Sequence, residues 1–165
     1  MANTEEERFD TDAEGKQIAF DFLKHFGFVL TATTEEMNHL DGSFNTKKGK
    51  RVGVEVKHMS EDRYTKYNDI PIADDKYIFS QGQGKEASGL VATYKFDYVK
   101  ADDGGIFVFT TPFEECAKYP AILVDWPIAN YKGAPTKPQW IHFIPRRRAN
   151  KWLIANGKIE QLWER

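Results

Sequence analysis

The chain has 165 residues, of which 41% are hydrophobic and 29% are charged, and this composition predicts one compact globular domain. Its net charge of −2 excludes a protein that binds nucleic acid through bulk basicity, although a local basic face is compatible with it. The single cysteine excludes an internal disulfide and no apolar run is long enough to span a membrane, so we expect a cytoplasmic protein without a membrane partner.

The N-terminal part of the chain is predicted to be an arm followed by a helix. Residues 1–9 carry three consecutive glutamates and few apolar side chains, which favours a flexible arm, and residues 10–165 are predicted to form the single domain. Thr11 is a typical N-cap, and apolar residues at helical spacing predict a helix over residues 12–26. Glu14 completes a capping box with Thr11, which would turn its carboxylate back to the helix start.

Residues 37–59 are predicted to form a β-hairpin. Three valines alternate with other residues on its second arm, which predicts a strand whose opposite face carries Glu55 and Lys57. The polar stretch over residues 45–50 predicts the turn, and Asp41 lies on the first arm. Thirteen residues separate Asp41 from Glu55, so the hairpin can bring the two carboxylates together.

Each of these residues also has an ordinary structural interpretation. Asp41 and the glycine after it form a turn dipeptide, which would shorten both arms. Glu55 and Lys57 could be polar residues on a solvated face of a sheet. Two further acid-x-lysine tripeptides, at residues 14–16 and 74–76, show that the tripeptide alone is a weak signal. The alternating valines and the spacing to Asp41 favour the middle one.

The rest of the chain is predicted to alternate strands, turns and short helices. An Asp-Asp-Gly-Gly sequence at residues 102–105 indicates a hairpin turn. The predicted elements are a strand over residues 28–33, a short helix and a long loop over 60–76, strands over 77–81, 90–99 and 106–110, a short helix over 112–119, a buried strand over 121–125, a strand over 139–144 and a helix over 145–156.

Two converging carboxylates and a nearby lysine suit a metal-dependent hydrolase. Mg²⁺ prefers hard oxygen ligands and is commonly held by one or two carboxylates, water and a substrate phosphate. A metal held in this way polarises the phosphate and lowers the pKa of a bound water. Lys57 would reach the same face as Glu55, where its ammonium can orient that water or neutralise charge on the phosphate.

In Asp41, Glu55 and Lys57 the sequence resembles the PD-(D/E)XK nuclease superfamily, whose motif is an aspartate, a spacer and a Glu-x-Lys tripeptide. The resemblance covers roughly residues 12–59, and many members carry an additional acid on the preceding helix, at the position of Glu14. It implies an α/β fold in which a single domain has a central mixed β-sheet flanked by helices, with a restriction-endonuclease-like core of the αβββαβ type.

The same resemblance implies the chemistry of the site. The expected reaction is hydrolysis of phosphodiester bonds in nucleic acid, DNA rather than RNA, with Mg²⁺ as the cofactor and Mn²⁺ as a substitute. The implied catalytic residues are Asp41, Glu55, Lys57 and Glu14. The implied metal ligands are Asp41, Glu55, the backbone carbonyl of Val56 and, if it does not cap the helix, Glu14.

The nucleic-acid-binding surface is predicted in the last third of the chain. Residues 127–158 contain seven Lys or Arg residues and no acid. Three consecutive arginines fall in the first turn of the predicted last helix, where the macrodipole disfavours cations unless a polyanion docks there. A solvated basic helix start is the alternative interpretation. The candidate contacts are Lys132, Lys137, Arg146, Arg147, Arg148 and Lys151, together with Lys48 in the hairpin turn.

Two other functions are compatible with the sequence. The chain is too short for a separate target-recognition domain, which favours a catalytically inactive module that binds nucleic acid or a protein partner. A metal-independent ribonuclease that uses His39 or His58 is the weaker alternative. A duplex-cutting enzyme of this size is expected to act as a homodimer, because one catalytic centre addresses one strand at a time.

Overall fold

The computed structural model describes residues 5–32, 40–82, 89–129 and 133–163. The α-helices in these ranges are α1 (Glu5–His25), α2 (Glu61–Lys66) and α3 (Asp74–Gln81), and 3₁₀ turns cover Phe113–Ala117 and Arg146–Arg148. The strands are β1 (Thr31–Ala32), β2 (Gly42–Asn45), β3 (Arg51–His58), β4 (Asp69–Ala73), β5 (Leu90–Lys100), β6 (Ile106–Pro112), β7 (Ile122–Pro127), β8 (Thr136–Pro145), β9 (Asn150–Ala155) and β10 (Lys158–Leu162). Of the helices in the described ranges, none is long and apolar enough to cross a membrane.

The strands form two sheets. Seven of them form a mixed sheet in the order β1-β2-β3-β5-β6-β9-β10, and β4-β8-β7 form a second, antiparallel sheet. Within the large sheet β3 and β5 are parallel neighbours, which require a crossover, and the crossover contains α2, β4 and α3. The prediction of an α/β domain with a central mixed sheet and helices is confirmed at this level, although the molecule is richer in strands than predicted.

Two apolar clusters determine what covers each face of the large sheet. On one face, Val54 and Val56 of β3 pack in one cluster with Ala19 and Phe22 of α1. A Cβ atom on Gly15 would lie only 2.7 Å from Cε1 of Tyr98, so the glycine allows α1 to approach β5 closely. The second sheet covers the other face, where its isoleucines pack with side chains of β5 and β6. Because side chains alternate along β3, Glu55 lies on the face that is turned toward the second sheet.

Helix α1 begins earlier than the sequence predicted. It starts at Glu5, so Thr11 lies inside the helix and the prediction of Thr11 as the N-cap is wrong. The arm predicted over residues 1–9 overlaps the helix from Glu5, and residues 1–4 lie outside the described ranges. The capping-box interpretation of Glu14 is therefore excluded.

The crossover differs from its prediction in two segments. The short helix is confirmed as α2, but the loop predicted after it contains β4. Pro71 is tolerated inside β4 because β4 is an edge strand of the small sheet. Residues 77–81 were predicted as a strand and instead complete α3, whose first turn begins with Asp74 and Asp75.

Most of the strands after the crossover are confirmed. β5 and β6 form the predicted hairpin, the short helix after β6 is the 3₁₀ turn Phe113–Ala117, and β8 contains the predicted strand over residues 139–144. β7 confirms the next predicted strand but not its burial, because Ile122 and Leu123 are more than half exposed. β7 is the other edge of the small sheet, which explains why a short apolar run there need not be buried.

The prediction of a last helix over residues 145–156 is wrong. After one 3₁₀ turn at Arg146–Arg148 the chain forms the β9–β10 hairpin. Asn156 and Gly157 form its turn with φ values of 53° and 73°, the left-handed conformation that tight hairpin turns require. The Asn-Gly dipeptide was the decisive local signal. Because the arginines form a single 3₁₀ turn and not the start of an α-helix, the macrodipole argument for a polyanion does not apply to them.

Candidate active site

The predicted hairpin is confirmed, and its first arm places Asp41 beside the Glu-x-Lys tripeptide. Oδ2 of Asp41 accepts a hydrogen bond from the backbone N–H of Val56 at 2.7 Å, and the N–H of Asp41 donates to the carbonyl of Val54 at 3.0 Å. The turn lies further along the chain, where N–H of Gly49 bonds to the carbonyl of Thr46. Asp41 is therefore not a turn residue, and the alternative of a shorter hairpin is excluded.

Glu55 is buried on the face of β3 opposite the valines, with 5% of its surface exposed. Burial raises the pKa of Glu55 to about 7, and the negative charge of Asp41 contributes in the same direction. Lys76 of α3 opposes the shift, because its Nζ lies 3.2 Å from Oε2 of Glu55, and Lys57 opposes it less. The two carboxylates are thus near enough for their charges to interact.

Glu55 and Lys57 line a cleft of about 560 Å³ between the two sheets. Glu55 lies among its buried lining, whereas Lys57 is exposed. Asp41 does not line this cleft; together with Val56 and His58 it borders a cavity of only about 10 Å³ on the α1 side of β3. The hairpin therefore joins the two carboxylates through the backbone at Val56, and it brings Glu55 and Lys57 together in one cavity.

A second charged pair, Lys95 and Asp97 of β5, lies beside Glu55 and Lys57 in the cleft. In the parallel register Glu55 is opposite Lys95, and Lys57 is opposite Asp97. Nζ of Lys95 lies 3.2 Å from Oδ1 of Asp97 and also donates to the carbonyl of Pro71 in β4. Oδ2 of Asp97 is buried without a hydrogen-bond partner in the part of the chain that the structure describes. Sequence reasoning missed this pair, although two charges at period two inside a long apolar strand were a visible signal.

Burial acts on both members of this pair in opposite directions. It lowers the pKa of Lys95 and raises the pKa of Asp97, since each charged form loses its hydration. Each partner's charge opposes the shift of the other. Each group is therefore stabilised in its charged form mainly by its partner, because burial removes the water that would otherwise hydrate it.

Glu14 lies on α1, which packs on the valine face of β3 rather than on the face of Glu55. Oε1 of Glu14 lies 2.6 Å from Nζ of Lys100 at the end of β5. Both side chains are partly exposed. The structure thus assigns Glu14 an ion pair with Lys100 and does not place it in the cleft with Glu55.

Most arginines of the predicted basic surface bind groups within the protein. Arg146 is buried, and its guanidinium donates to the carbonyls of Tyr64 and Tyr67 and to Oδ1 of Asn68. Arg148 donates two hydrogen bonds to the carboxylate of Glu115. Nζ of Lys151 donates to Oη of Tyr64. The exposed members of the predicted surface are Lys48, Lys137, Arg147 and Arg148, of which Arg148 is paired with Glu115, while Lys132 lies outside the described residues.

The two histidines of the ribonuclease alternative give it little support. His39 lies outside the described ranges, and burial lowers the pKa of His58 to about 4. His58 is therefore neutral near pH 7, and its Nδ1 has no hydrogen-bond partner within the described residues.

The groups predicted to hold a divalent metal are divided between two cavities, because Asp41 borders the small cavity on the α1 side of β3 and Glu55 lines the cleft. The described ranges contain no group of three or more His, Cys, Asp and Glu side chains arranged to hold a metal. Mg²⁺ is commonly bound by fewer protein groups, with water and substrate phosphate as further ligands. Burial raises the pKa of Glu55, and the negative charge of Asp41 adds to that shift. Both carboxylates are hard oxygen donors, the type of ligand that a divalent cation prefers.

Comparison with known proteins does not place the chain in a family. No family model matches it, and neither the curated proteins nor the solved structures include a match. The function is therefore inferred from the residues and their geometry.

Proposed function

We propose that this protein is a Mg²⁺-dependent nuclease that hydrolyses phosphodiester bonds, in DNA rather than RNA. The observation that carries the proposal is the hydrogen bond from the N–H of Val56 to Asp41, because it fixes one carboxylate against the tripeptide that bears Glu55 and Lys57. A catalytic lysine and two metal-binding carboxylates are then contributed by a single hairpin.

Asp41, Glu55 and the carbonyl of Val56 would hold the metal. In an extended strand the N–H and C=O of one residue point to the same side, so the carbonyl of Val56 lies on the Asp41 side of β3. When bound, the ion would polarise the scissile phosphate and acidify an attacking water. A bound cation would also favour the charged form of Glu55, which burial disfavours.

Lys57 and Lys76 have different roles in this proposal. Lys57 is exposed at the cleft, so its ammonium is free to orient the attacking water or to neutralise charge on the phosphate. Lys76 forms the ion pair with Glu55 and supplies the countercharge of that carboxylate. The substrate would therefore approach from the side of Lys57.

The chain order of the first elements supports the proposal. Helix α1 is followed by the antiparallel strands β1, β2 and β3, and the crossover with α3 leads to β5, which is parallel to β3. This connectivity agrees with the αβββαβ core that the resemblance to PD-(D/E)XK nucleases implies. β4 and the strands after β5 are additions to such a core.

The exposed cations Lys48, Lys137 and Arg147 are the proposed contacts to the phosphate backbone. Arg146 is not proposed as a contact, because its buried guanidinium would have to leave three hydrogen-bond acceptors. If the substrate is a duplex, two copies of the chain are needed to cut both strands, and a homodimer is then expected.

Cleavage assays with single-stranded and duplex DNA and RNA test the proposal. We expect cleavage with Mg²⁺ or Mn²⁺ that EDTA stops, and we expect Lys57→Ala to lower the rate by about 10²–10⁴-fold, the contribution typical of a positioned proton-transfer or charge-stabilising group. Lys24→Ala removes an exposed lysine at the end of α1 and is the matched control. Cleavage by Lys57→Ala at the rate of the control would refute the assignment.

A catalytically inactive module that binds nucleic acid is the second candidate. The observation that favours it is the ion pair of Lys76 with Glu55, which already neutralises one of the two proposed metal ligands. Binding assays with Asp41→Asn distinguish the two candidates. If the protein is an inactive module, the parent protein and Asp41→Asn should bind nucleic acid equally well, with or without Mg²⁺. Neither of the two should cleave it.

A further inference from the structure

One wall of the cleft contains an arginine whose guanidinium lies over two aromatic rings. The guanidinium carbon of Arg63 lies 4.9 Å from the centroid of the Tyr67 ring and 5.5 Å from that of Trp126. All three residues line the cavity that holds Glu55 and Lys57. Aromatic rings and guanidinium planes are the groups on which proteins stack unpaired nucleobases.

The wall is fixed within the protein and still has unused binding capacity. Arg63 donates to Oδ1 of Asp69, and the side-chain amide of Gln139 donates to the carbonyl of Trp126 at 3.0 Å. Nε of Arg63 is buried without an acceptor among the described residues, and 53% of Tyr67 is exposed. A ligand with a flat ring could therefore stack on the exposed part of Tyr67.

The size of the cleft favours unpaired bases over a duplex. Its volume of about 560 Å³ is within the range of small-molecule pockets. In a duplex the faces of the bases are covered by their neighbours, so a ring on the cleft wall can meet a base only where the strand is unpaired.

The charge of the cleft also favours stacking as the source of affinity. Its lining contains four cations and four acids, so there is no excess of positive charge to attract a polyanion. The cations are Lys57, Arg63, Lys76 and Lys95, and the acids are Glu55, Asp62, Asp75 and Asp97. For a single strand, the logarithm of the affinity falls by about 0.7 per tenfold increase in salt for each phosphate that the protein neutralises. Affinity that comes from stacking neutralises no phosphate and therefore depends little on salt.

We propose that Arg63, Tyr67 and Trp126 stack the unpaired bases of a single-stranded nucleic acid and so hold its backbone beside Glu55 and Lys57. This inference rests on the proposed nuclease function, because it names the substrate of the same site. It predicts that the protein binds a single strand more tightly than the duplex of the same sequence.

Fluorescence anisotropy in EDTA tests the inference without cleavage, using a short labelled DNA strand and its duplex. Stacking on an aromatic side chain corresponds to about a 5- to 150-fold change in affinity, so we expect Trp126→Leu and Tyr67→Leu each to weaken single-strand binding within that range. Trp126→Phe keeps an aromatic ring and should retain most of the affinity. Trp140→Leu is the matched control, because Trp140 is exposed on β8 of the same sheet outside the cleft.

Three results would overturn the inference: equal affinity for the strand and the duplex, parental affinity in both Trp126→Leu and Tyr67→Leu, or an equal loss in Trp140→Leu. Tyr67→Leu keeps the test valid if Trp126→Leu does not fold, because the Tyr67 side chain is largely exposed. The proposed function fails in a different assay, by the absence of cleavage with Mg²⁺. A protein that prefers single strands but cuts none would support the stacking wall and refute the nuclease.

Discussion

The neighbouring strands β3 and β5 carry the same two kinds of charge on the same face, yet they use them differently. On β5, Lys95 and Asp97 are both buried and bind each other. On β3, Glu55 is buried with a lysine from another element, and Lys57 is left exposed. β5 has a paired strand on each side along this stretch, whereas β2 ends opposite Val54, so the end of β3 is open on that side. Where the sheet is complete, Lys95 and Asp97 pair with each other, and we call them the closed pair. Where the sheet ends, Glu55 and Lys57 do not pair with each other and Lys57 can bind a ligand, and we call them the open pair.

The largest effect on stability is expected when the closed pair is broken. Lys95→Met leaves the carboxylate of Asp97 buried without its cation, which should destabilise the protein by about 3–5 kcal/mol. Replacing both members, Lys95→Met with Asp97→Leu, should recover most of this loss because no buried charge remains. Urea denaturation of the three proteins measures both effects. If Lys95→Met is as stable as the parent protein, Asp97 must be hydrated, and β5 is then as open to solvent as the end of β3.

The open pair is expected to appear as a dependence of stability on pH. The folded protein holds the proton of Glu55 up to about pH 7, whereas an unfolded glutamate releases it near its ordinary pKa of 4.5. The stabilisation is therefore complete below about pH 4.5 and is lost as the pH rises through 7, by roughly 3 kcal/mol in total for this group.

Glu55→Gln should remove this fall, because glutamine does not titrate. Unfolding free energies at several pH values between 4.5 and 8 measure the difference between variant and parent. Glu61→Gln, at an exposed position of α2, is the matched control and should retain the parental fall. If Glu55→Gln loses as much stability as the parent over this range, Glu55 is not the buried titrating group.

The hairpin with Asp41 and Glu55 was predictable because its signals are local. The valine alternation determines which face is buried, and the polar turn determines which residues of the two arms are opposite each other. The chemistry then follows from spacing along one stretch of chain. The same reasoning located α1, but not its start, because the glutamates at residues 5–7 indicate a solvated arm as readily as a helix N-terminus.

The remaining parts of the site depend on contacts between distant segments. Lys95 and Asp97 are buried because β4 covers them, and β4 is held by β8, some seventy residues further along the chain. A run of charged residues in the sequence likewise does not show what each charge binds. The sequence predicted Arg146 to be a surface cation, but in the structure its guanidinium binds carbonyls of the α2 region. A sequence shows where charges are, and the fold decides whether their partners are internal.

Glu14 and Lys100 extend the comparison to the surface, where the smallest effect is expected. Their side chains are 39% and 56% exposed, and exposed ion pairs contribute less than about 1 kcal/mol, so Glu14→Gln and Lys100→Met should each change the unfolding free energy by no more than that. Because Lys100 already pairs with Glu14, we also expect both variants to cleave at nearly the parental rate. A large loss of cleavage in Glu14→Gln but not in Lys100→Met would instead make Glu14 a metal ligand. Paired measurements of denaturation and cleavage thus separate an acid that only pairs on the surface from one that acts with Asp41.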